Sequence, residues 1–183
     1  KVNCYSPSKF DSIMPPEAVK NVLTSKDVVT KRNRVTKLME TETIESDLPY
    51  SELKEFWIIE DRFFDKKRGV IDVRINYICP VFSKEDPESG MMITTPLFWI
   101  YYPQVRQLLA NNYTFNPFNT SQTVTFDEYF QKRMFSSIIK KESNMYDRSL
   151  IDYLTVTNKM LQQLEAERIK DDVRRSESDL WEY

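Results

Sequence analysis

The chain has 183 residues, 40% of them hydrophobic, and its 28 acidic and 26 basic residues give a net charge of −2. A chain of this length can form one domain that buries about 70% of its unfolded surface. The near-neutral charge and the spread of basic residues along the chain argue against nucleic acid as a partner. No apolar run approaches the roughly 18 residues of a membrane-spanning helix, so we expect a soluble, mature or trimmed chain without a direct membrane span.

Three kinds of functional site lack their usual residues. The sequence contains no histidine, the commonest zinc ligand and the usual base of a catalytic triad. With only Gly69 and Gly90, it has no glycine-rich loop that could bind a phosphate. We therefore expect no catalytic residue, no cofactor and no metal.

The first third of the chain predicts two helices with strand between them. Pro15 and Pro16 suit the start of a short helix that continues from Glu17 to Leu23. Residues 28–44 mix β-branched with charged residues, which predicts one long exposed strand or two short ones. After Pro49, helical spacing predicts a helix over residues 49–64. Its predicted inner face consists of Leu53, Phe56, Trp57, Glu60 and Phe64.

Residues 70–102 predict a central antiparallel hairpin. Apolar residues alternate with polar ones in its first strand, which is typical of a half-buried strand. The predicted inner face consists of Ile71, Val73, Ile75, Tyr77, Cys79 and Val81. A polar loop at 83–90 leads to a second strand, which is apolar on both faces from Leu97 to Tyr102. We interpret Cys79 as a packed free thiol, although a disulfide with Cys4 is left open.

The rest of the chain predicts three helices. A short helix begins at Pro103 and ends near Ala110, and a turn-rich linker follows it. Thr125 and Glu128 form a capping box, which predicts a helix from there to about Lys141. A second helix follows with leucines at helical spacing from Leu150 to Leu164. These are two consecutive C-terminal helices in an α+β fold, in which an antiparallel sheet packs with several helices. We predict one domain over residues 1–170 and a tail over 171–183.

The segment "KESNMYDR" at 141–148 could be a catalytic group or a junction between the two helices. As a catalytic group, Lys141, Glu142, Ser143, Tyr146 and Asp147 would supply a base, a nucleophile and an orienting acid. The structural interpretation explains the segment better. Lys141 suits a helix C-terminus, Asn144 tolerates the left-handed turn after it, and Asp147 suits the next N-cap. Tyr146 and Arg148 would then stabilise the corner.

Two other groups could also be catalytic. Ser51 and Lys54 match the S-x-x-K pattern of serine acyl-transferases, but the companion signatures are missing and the match is short. Adjacent carboxylates at Glu60-Asp61 and Asp171-Asp172 would point to different helix faces. We interpret all of these as ordinary surface residues.

Four long blocks carry a family resemblance. They are "FFDKKRGVIDVRI", "LFWIYYPQVRQLLANNYTFN", "TFDEYFQKRMFSSIIKKESNMYDR" and the terminal "DLWEY". These strings resemble the GldN/PorN family, the gliding-motility and type IX secretion proteins of Bacteroidetes. The resemblance runs over residues 49–183, and residues 1–48 match more loosely.

The resemblance implies a non-enzymatic, periplasmic structural component. Family members assemble with the outer-membrane lipoprotein GldK/PorK into a large ring, which implies self-association here. They also lie near the GldL/GldM motor, so a GldM/PorM-like periplasmic protein is a second implied partner. Two alternatives from other classes are a periplasmic hydrolase that uses a carboxylate or the pair Ser51 and Lys54, and a peptide-binding adaptor that adds a ligand strand to the exposed edge of its sheet.

The tail carries the candidate partner-binding residues. Leu180, Trp181 and Tyr183 lie among charged residues that cannot form a core by themselves. Such a segment either folds back onto its own domain or docks on a neighbouring subunit. Tryptophan is enriched among the few residues that dominate interface energies, which favours Trp181 as the docking residue.

Overall fold

The computed structural model describes residues 2–7, 12–32, 39–85, 90, 92–116, 119, 121–143, 149–150 and 159–181. Its strands are β1 (Cys4–Tyr5), β2 (Thr24–Arg32), β3 (Met39–Asp47), β4 (Leu53–Asp65), β5 (Val70–Glu85), β6 (Met92–Pro96), β7 (Trp99–Tyr101), β8 (Tyr113–Thr114) and β9 (Val124–Thr125). Its helices are α1 (Pro16–Leu23), α2 (Tyr102–Ala110), α3 (Phe126–Gln131) and α4 (Lys159–Trp181), with a 3₁₀ turn at Tyr50–Glu52. The mixture of helices with antiparallel sheet confirms the α+β class.

The chain divides into two compact units. The first comprises Lys1–Asp61 and Val73–Asn111, and the second comprises Arg62–Asp72 and Asn112–Tyr183. The prediction of a single domain over residues 1–170 stays a prediction. Helix α4 continues without a break through residue 170, where the sequence predicted the start of a tail.

The central hairpin is confirmed and forms the core of the first unit. Strand β5 pairs antiparallel with β6 and with β7, and the sheet order is β1-β7-β5-β4. Ile75, Cys79 and Val81 of the predicted inner face of β5 are buried, but Val73 of that face is exposed, and Ile78 of the opposite face is buried. Leu97, Phe98 and Trp99 are buried as well, in the segment that is apolar on both faces. The buried residues of this core are Ile75, Ile78, Cys79, Val81, Leu97, Phe98, Trp99, Tyr102 and Val105.

Residues 53–65 form strand β4, so the helix predicted over 49–64 is wrong. Only Tyr50–Glu52 forms a turn of 3₁₀ helix after Pro49. The apolar residues of this segment, from Phe56 to Phe64, are almost all aromatic or β-branched, and such residues favour strands. A short apolar run satisfies both periods, and pairing with β5 decides for the strand.

The turn that joins β4 to β5 is built around Asp65. Its Oδ1 accepts hydrogen bonds from the backbone N–H groups of Lys67 (2.9 Å) and Arg68 (3.4 Å), and its Oδ2 accepts one from Arg68 Nε (2.8 Å). Gly69 has φ of 64°, a conformation that glycine adopts without strain. The hydrogen bond from the Arg68 side chain, followed by that from the Lys67 backbone, lowers the pKa of Asp65. The turn thereby fixes which residues of β4 and β5 face each other.

Strands β2 and β3 settle the alternative that the sequence left open for residues 28–44. The segment forms two strands that pair antiparallel over nine residues each, from Thr24 opposite Asp47 to Arg32 opposite Met39. The base of this pair is closed by a 2.9 Å hydrogen bond from Leu48 N to Leu23 O, at the end of α1. We call β2 and β3 together the ribbon.

In the second unit, helix α3 begins at the predicted capping box but ends much earlier than predicted. Glu128 N donates to Thr125 Oγ1 (3.2 Å), and Thr125 N donates to Glu128 Oε2 (3.3 Å). The helix stops at Gln131 because Arg133 adopts the left-handed conformation with φ of 53°. Met134 N then bonds to Tyr129 O, and Arg133 N bonds to Phe130 O, which is the Schellman pattern of a helix C-terminus.

Aromatic rings stabilise this early end of α3. Phe135 lies 5.8 Å from the Phe130 ring and 6.3 Å from the Tyr129 ring, measured between centroids. The Arg133 guanidinium carbon lies 5.6 Å from the centroid of the Phe135 ring. The chain therefore turns back after about one and a half turns of helix. The apolar residues that predicted a long helix face pack against one another around this turn.

Replacing Thr125 by alanine is expected to lower the free energy of unfolding by about 1 kcal/mol, because the N-cap hydroxyl satisfies an otherwise free backbone N–H of α3. Chemical denaturation followed by circular dichroism measures this difference. Thr123→Ala, at an exposed threonine two residues earlier, is the matched control and should change the midpoint little. Equal midpoints for the two variants would contradict the capping role.

The second predicted C-terminal helix is present as α4, over Lys159–Trp181. Ala166 and Ile169 lie on its buried side and cluster with Leu150, and Ile139 packs against this cluster. Part of the predicted helix, residues 151–158, lies outside the described residues. Packing of one narrow apolar stripe, rather than helix propensity, therefore holds α4 in place.

Candidate interaction surfaces

The predicted partner-binding residues lie at the end of α4. Leu180 and Trp181 belong to its last turn, whereas Tyr183 lies outside the described residues. Position 181 follows Arg174 by seven residues, which is about two helical turns, so both positions share one side of the helix. The Arg174 side chain is 67% exposed on that side. Position 180 follows the half-buried Val173 by the same interval.

The first turns of α4 carry a stripe of exposed apolar side chains. Met160, Leu161 and Leu164 are all exposed, with Met160 at 70%. They lie away from Ala166 and Ile169, which face the buried cluster. Leu161 and Leu164 belong to the apolar stripe that the sequence predicts for this helix, and the structure instead buries the stripe that contains Ala166 and Ile169.

The middle of α4 is covered by ion pairs within the helix. Arg168 pairs with Glu165 and, at 2.9 Å, with Asp172, while Arg174 lies 3.5 Å from Asp171. Exposed pairs at these spacings contribute about 0.3–0.5 kcal/mol each. The adjacent carboxylates Asp171 and Asp172 therefore serve different arginines, in agreement with their interpretation as surface charges.

A second exposed patch lies on the β8–β9 pair and was not found from the sequence. Tyr113 and Phe115 are each 69% exposed, and Phe126 at the start of α3 is also exposed. Tyr113 pairs with Thr125, and Phe126 N donates to Asn112 O (3.0 Å), so the backbone holds these residues in one module. The sequence signal was the alternation of Tyr113, Thr114 and Phe115 within a linker interpreted as a turn.

The asparagines of that linker do serve turns, as the sequence indicated. Asn119 N donates to Asn116 Oδ1 (3.2 Å), and Ser121 N donates to Asn119 Oδ1 (3.0 Å). Asn116 is buried. These bonds shape the loop that leads into β9.

The structure brings together the two flanks of the predicted helix junction. Lys141 forms an antiparallel bridge with Ser149, and Leu150 N donates to Lys140 O (3.1 Å). Lys141 itself is exposed. The other junction residues, Asn144, Tyr146, Asp147 and Arg148, lie outside the described residues, so their predicted roles stay predictions. Lys141 does not lie at a helix C-terminus, because α3 ends ten residues earlier, at Gln131.

The alternative catalytic residues lie on the surface. Ser51 belongs to the 3₁₀ turn before β4, and both Ser51 and Lys54 are exposed. Asp61 accepts a 2.7 Å hydrogen bond from Asn76 Nδ2, which gives this carboxylate a structural partner on the neighbouring strand. Within the described ranges, no group of three or more Cys, Asp or Glu side chains could hold a metal ion.

Strand register answers the question of a disulfide. Cys4 pairs with Ile100, and Ile100 pairs with Ile78, so these three residues lie in one row on one face of the sheet. Cys79 follows Ile78 and therefore faces the other side. Two strand spacings of about 4.8 Å also exceed the roughly 7 Å that a disulfide can span between Cα atoms. Both cysteines are free, as interpreted for Cys79.

Cys79 should react with a thiol reagent far more slowly in the native protein than in denatured protein. Burial raises its pKa to about 11, which implies about 300-fold less thiolate near neutral pH than for an ordinary thiol. In the Cys4→Ser variant, the rate of reaction with a disulfide reagent reports on Cys79 alone. The Cys79→Ser variant, which keeps the partly buried Cys4, gives the rate for comparison. Equal native rates would contradict the burial of Cys79.

The same shift has a consequence for pH. Because the folded-state pKa of Cys79 lies above that of an unfolded thiol, its burial stabilises the fold at neutral pH. This contribution is lost as the pH rises from about 8.5, the ordinary thiol value, toward about 11. The Cys79→Ala variant should lose less stability over that range.

None of the helices in the described part of the chain is both long and apolar enough to cross a membrane. The exposed residues of this site are instead aromatic and aliphatic side chains on otherwise polar elements. Aromatic residues and methionine are enriched at protein interfaces. The arrangement is therefore typical of surfaces that bind other proteins.

Comparison with known proteins agrees with the resemblance carried by the four sequence blocks. The sequence model of a family described as "Gliding motility associated protein GldN" matches residues 1–182 of the chain. None of the curated proteins matches it significantly. The matched range includes residues 1–48, where the blocks resembled the family more loosely.

Proposed function

Because the chain belongs to the family of gliding motility associated protein GldN, and so to the components of gliding and type IX secretion, we propose that it is a non-enzymatic structural subunit of that machinery in the periplasm. The family match over residues 1–182 is the observation that carries this proposal. The subunit would associate with itself and with an outer-membrane lipoprotein of the GldK/PorK type in a ring.

Exposed apolar side chains support a role in assembly. Each unit presents them outside its own core, for example Phe56 on β4 and Ile93 on β6 in the first unit, and Phe115 and Met160 in the second. Burying such a side chain is worth roughly 1.5–3 kcal/mol. Surfaces of this kind suit a protein that binds several neighbours, including a GldM/PorM-like motor protein beside the ring.

A structural role is also supported by the chemistry of the described residues. Ser51 and Lys54, the residues of the hydrolase alternative, are both exposed on the surface. A catalytic serine–lysine pair needs a lysine that burial keeps neutral. The proposal therefore assigns no catalytic residue.

Co-expression with the GldK/PorK-type lipoprotein tests the proposal. We expect the two proteins to co-purify from the outer-membrane fraction and to form closed rings in electron micrographs. An unrelated outer-membrane lipoprotein with the same tag is the control for nonspecific capture. Failure to co-purify would contradict the partner, and recovery of the chain in the cytoplasmic fraction would contradict the location.

A further inference from the structure

The ribbon is a two-stranded sheet with two open edges. In the described part of the chain, β2 pairs only with β3, and β3 pairs only with β2. A two-stranded ribbon is marginally stable in water by itself, and the unpaired backbone groups of each edge are a template for another strand. The nine-residue length of both strands is enough for a full additional pairing.

The sequence gives the ribbon no apolar face with which to pack on a core. Directly opposed positions share a face, so one face combines Val28 and Thr43 with the charged pair Lys26 and Glu45. The other face combines Val29 with Glu42, Asp27 with Ile44, and Lys31 with Glu40. Each face therefore mixes apolar with charged residues and does not suit packing on a hydrophobic core. The backbone N–H and C=O groups of the two edges remain as the groups that another chain can bind.

The two edges carry opposite charge. Strand β2 has three basic residues and one acidic residue, which give +2. Strand β3 has four acidic residues and no basic one, which give −4. Like charges placed opposite each other across a sheet are destabilising, and opposite charges contribute about 0.2–1 kcal/mol per pair.

We propose that the ribbon joins copies of this chain head to tail, with β2 of one copy added to the β3 edge of the next copy. Pairing β3 with β3 of a second copy would place −4 against −4, and pairing β2 with β2 would place +2 against +2. Charge thus disfavours two-fold dimers and favours heterologous contacts, which form rings when they close. This inference rests on the self-association in the proposed function and assigns it a surface.

Pairing within the ribbon accounts for only part of this charge pattern. Lys26 lies opposite Glu45, and Lys31 lies opposite Glu40. Glu42 lies opposite Val29, and Asp47 lies opposite Thr24, so neither acidic residue opposes a cation within the ribbon. A basic strand from a second copy would add cations beside these two positions of β3.

Two variants test the proposal without disturbing the opposed charge pairs. Glu42→Lys/Asp47→Lys brings the net charge of β3 to zero, and Arg32→Glu brings the net charge of β2 to zero. Arg32 lies opposite Met39, so its replacement also leaves the opposed charge pairs intact. We expect each variant alone to self-associate about tenfold more weakly than the unaltered protein. Glu142→Lys/Glu167→Lys makes the same charge change as the first variant at exposed positions of the second unit and should leave association unchanged.

Mixing the two variants is the sharper measurement. A mixture keeps one intact edge pair, β2 of the first variant with β3 of the second. Sedimentation velocity should therefore show 1:1 dimers at a concentration at which each variant alone is mostly monomeric. Tighter association of Glu42→Lys/Asp47→Lys alone would overturn the proposal in favour of two-fold pairing. Variants that associate as strongly as the unaltered protein, or that stay monomeric when mixed, would also overturn it.

The same experiment separates this inference from the proposed function. If the unaltered protein stays monomeric both alone and with the lipoprotein, the proposed structural role fails. If the unaltered protein assembles and the ribbon variants assemble equally well, only the assignment to the ribbon fails.

Discussion

Replacing Trp99 by alanine is expected to lower the free energy of unfolding by about 3–5 kcal/mol. Trp99 lies on β7, between β1 and β5, and only 7% of it is exposed. Its removal leaves a cavity beneath the centre of the sheet, and the paired strands on either side cannot collapse into it. Chemical denaturation followed by far-ultraviolet circular dichroism measures the loss without using tryptophan fluorescence.

Tyr50→Ala is the matched control for this prediction. Tyr50 is a large aromatic residue of the same unit, but it lies in the 3₁₀ turn and is 83% exposed. Its replacement should change the free energy of unfolding by no more than about 0.5 kcal/mol. If both variants unfold at the same denaturant concentration, Trp99 does not occupy the core of the sheet.

Replacing Trp181 by alanine should weaken binding to the lipoprotein partner by about 30-fold, while the melting temperature of the isolated chain stays nearly unchanged. This corresponds to about 2 kcal/mol, the threshold of an interface hot spot. The structural argument is the position of residue 181 in the last turn of α4, on the side of the exposed Arg174.

Two further variants separate docking from packing within the chain. Trp181→Phe keeps an aromatic ring and should retain most of the binding. Ile169→Ala alters a buried position of α4 and should lower the melting temperature instead. A lower melting temperature with normal binding in Trp181→Ala would identify an intramolecular anchor and contradict docking.

Exposure is the property of the candidate surfaces that could not be predicted from sequence. The isolated tryptophan of the terminal "DLWEY" indicates a partner-binding position by its residue type and its charged neighbours alone. Tyr113 and Phe115 gave no comparable signal, because the sequence of a linker does not distinguish a buried aromatic residue from an exposed one. Which of the two occurs depends on whether another element covers it, and distant residues decide that.

Local chemistry determined the elements whose signals lie within a few residues of one another. Pro15-Pro16 and Pro103 start helices because proline already has a helical φ and lacks only an unneeded N–H. The capping box at Thr125 and Glu128 satisfies two backbone donors by itself, so α3 begins where the sequence predicts. Alternation along β5 likewise specified a half-buried strand.

Tertiary structure decided the elements whose local signals were balanced. Residues 53–65 suited a helix face and a strand alike, and they became a strand because they pair with β5 in the sheet. Helix α3 ends at Gln131, before its predicted end, because the Phe135 ring packs on Tyr129 and Phe130 and holds Arg133 in a left-handed turn. For β4 the deciding contacts come from another strand, and for the end of α3 they come from rings up to six residues apart. Neither kind of contact is contained in the helical spacing of apolar residues.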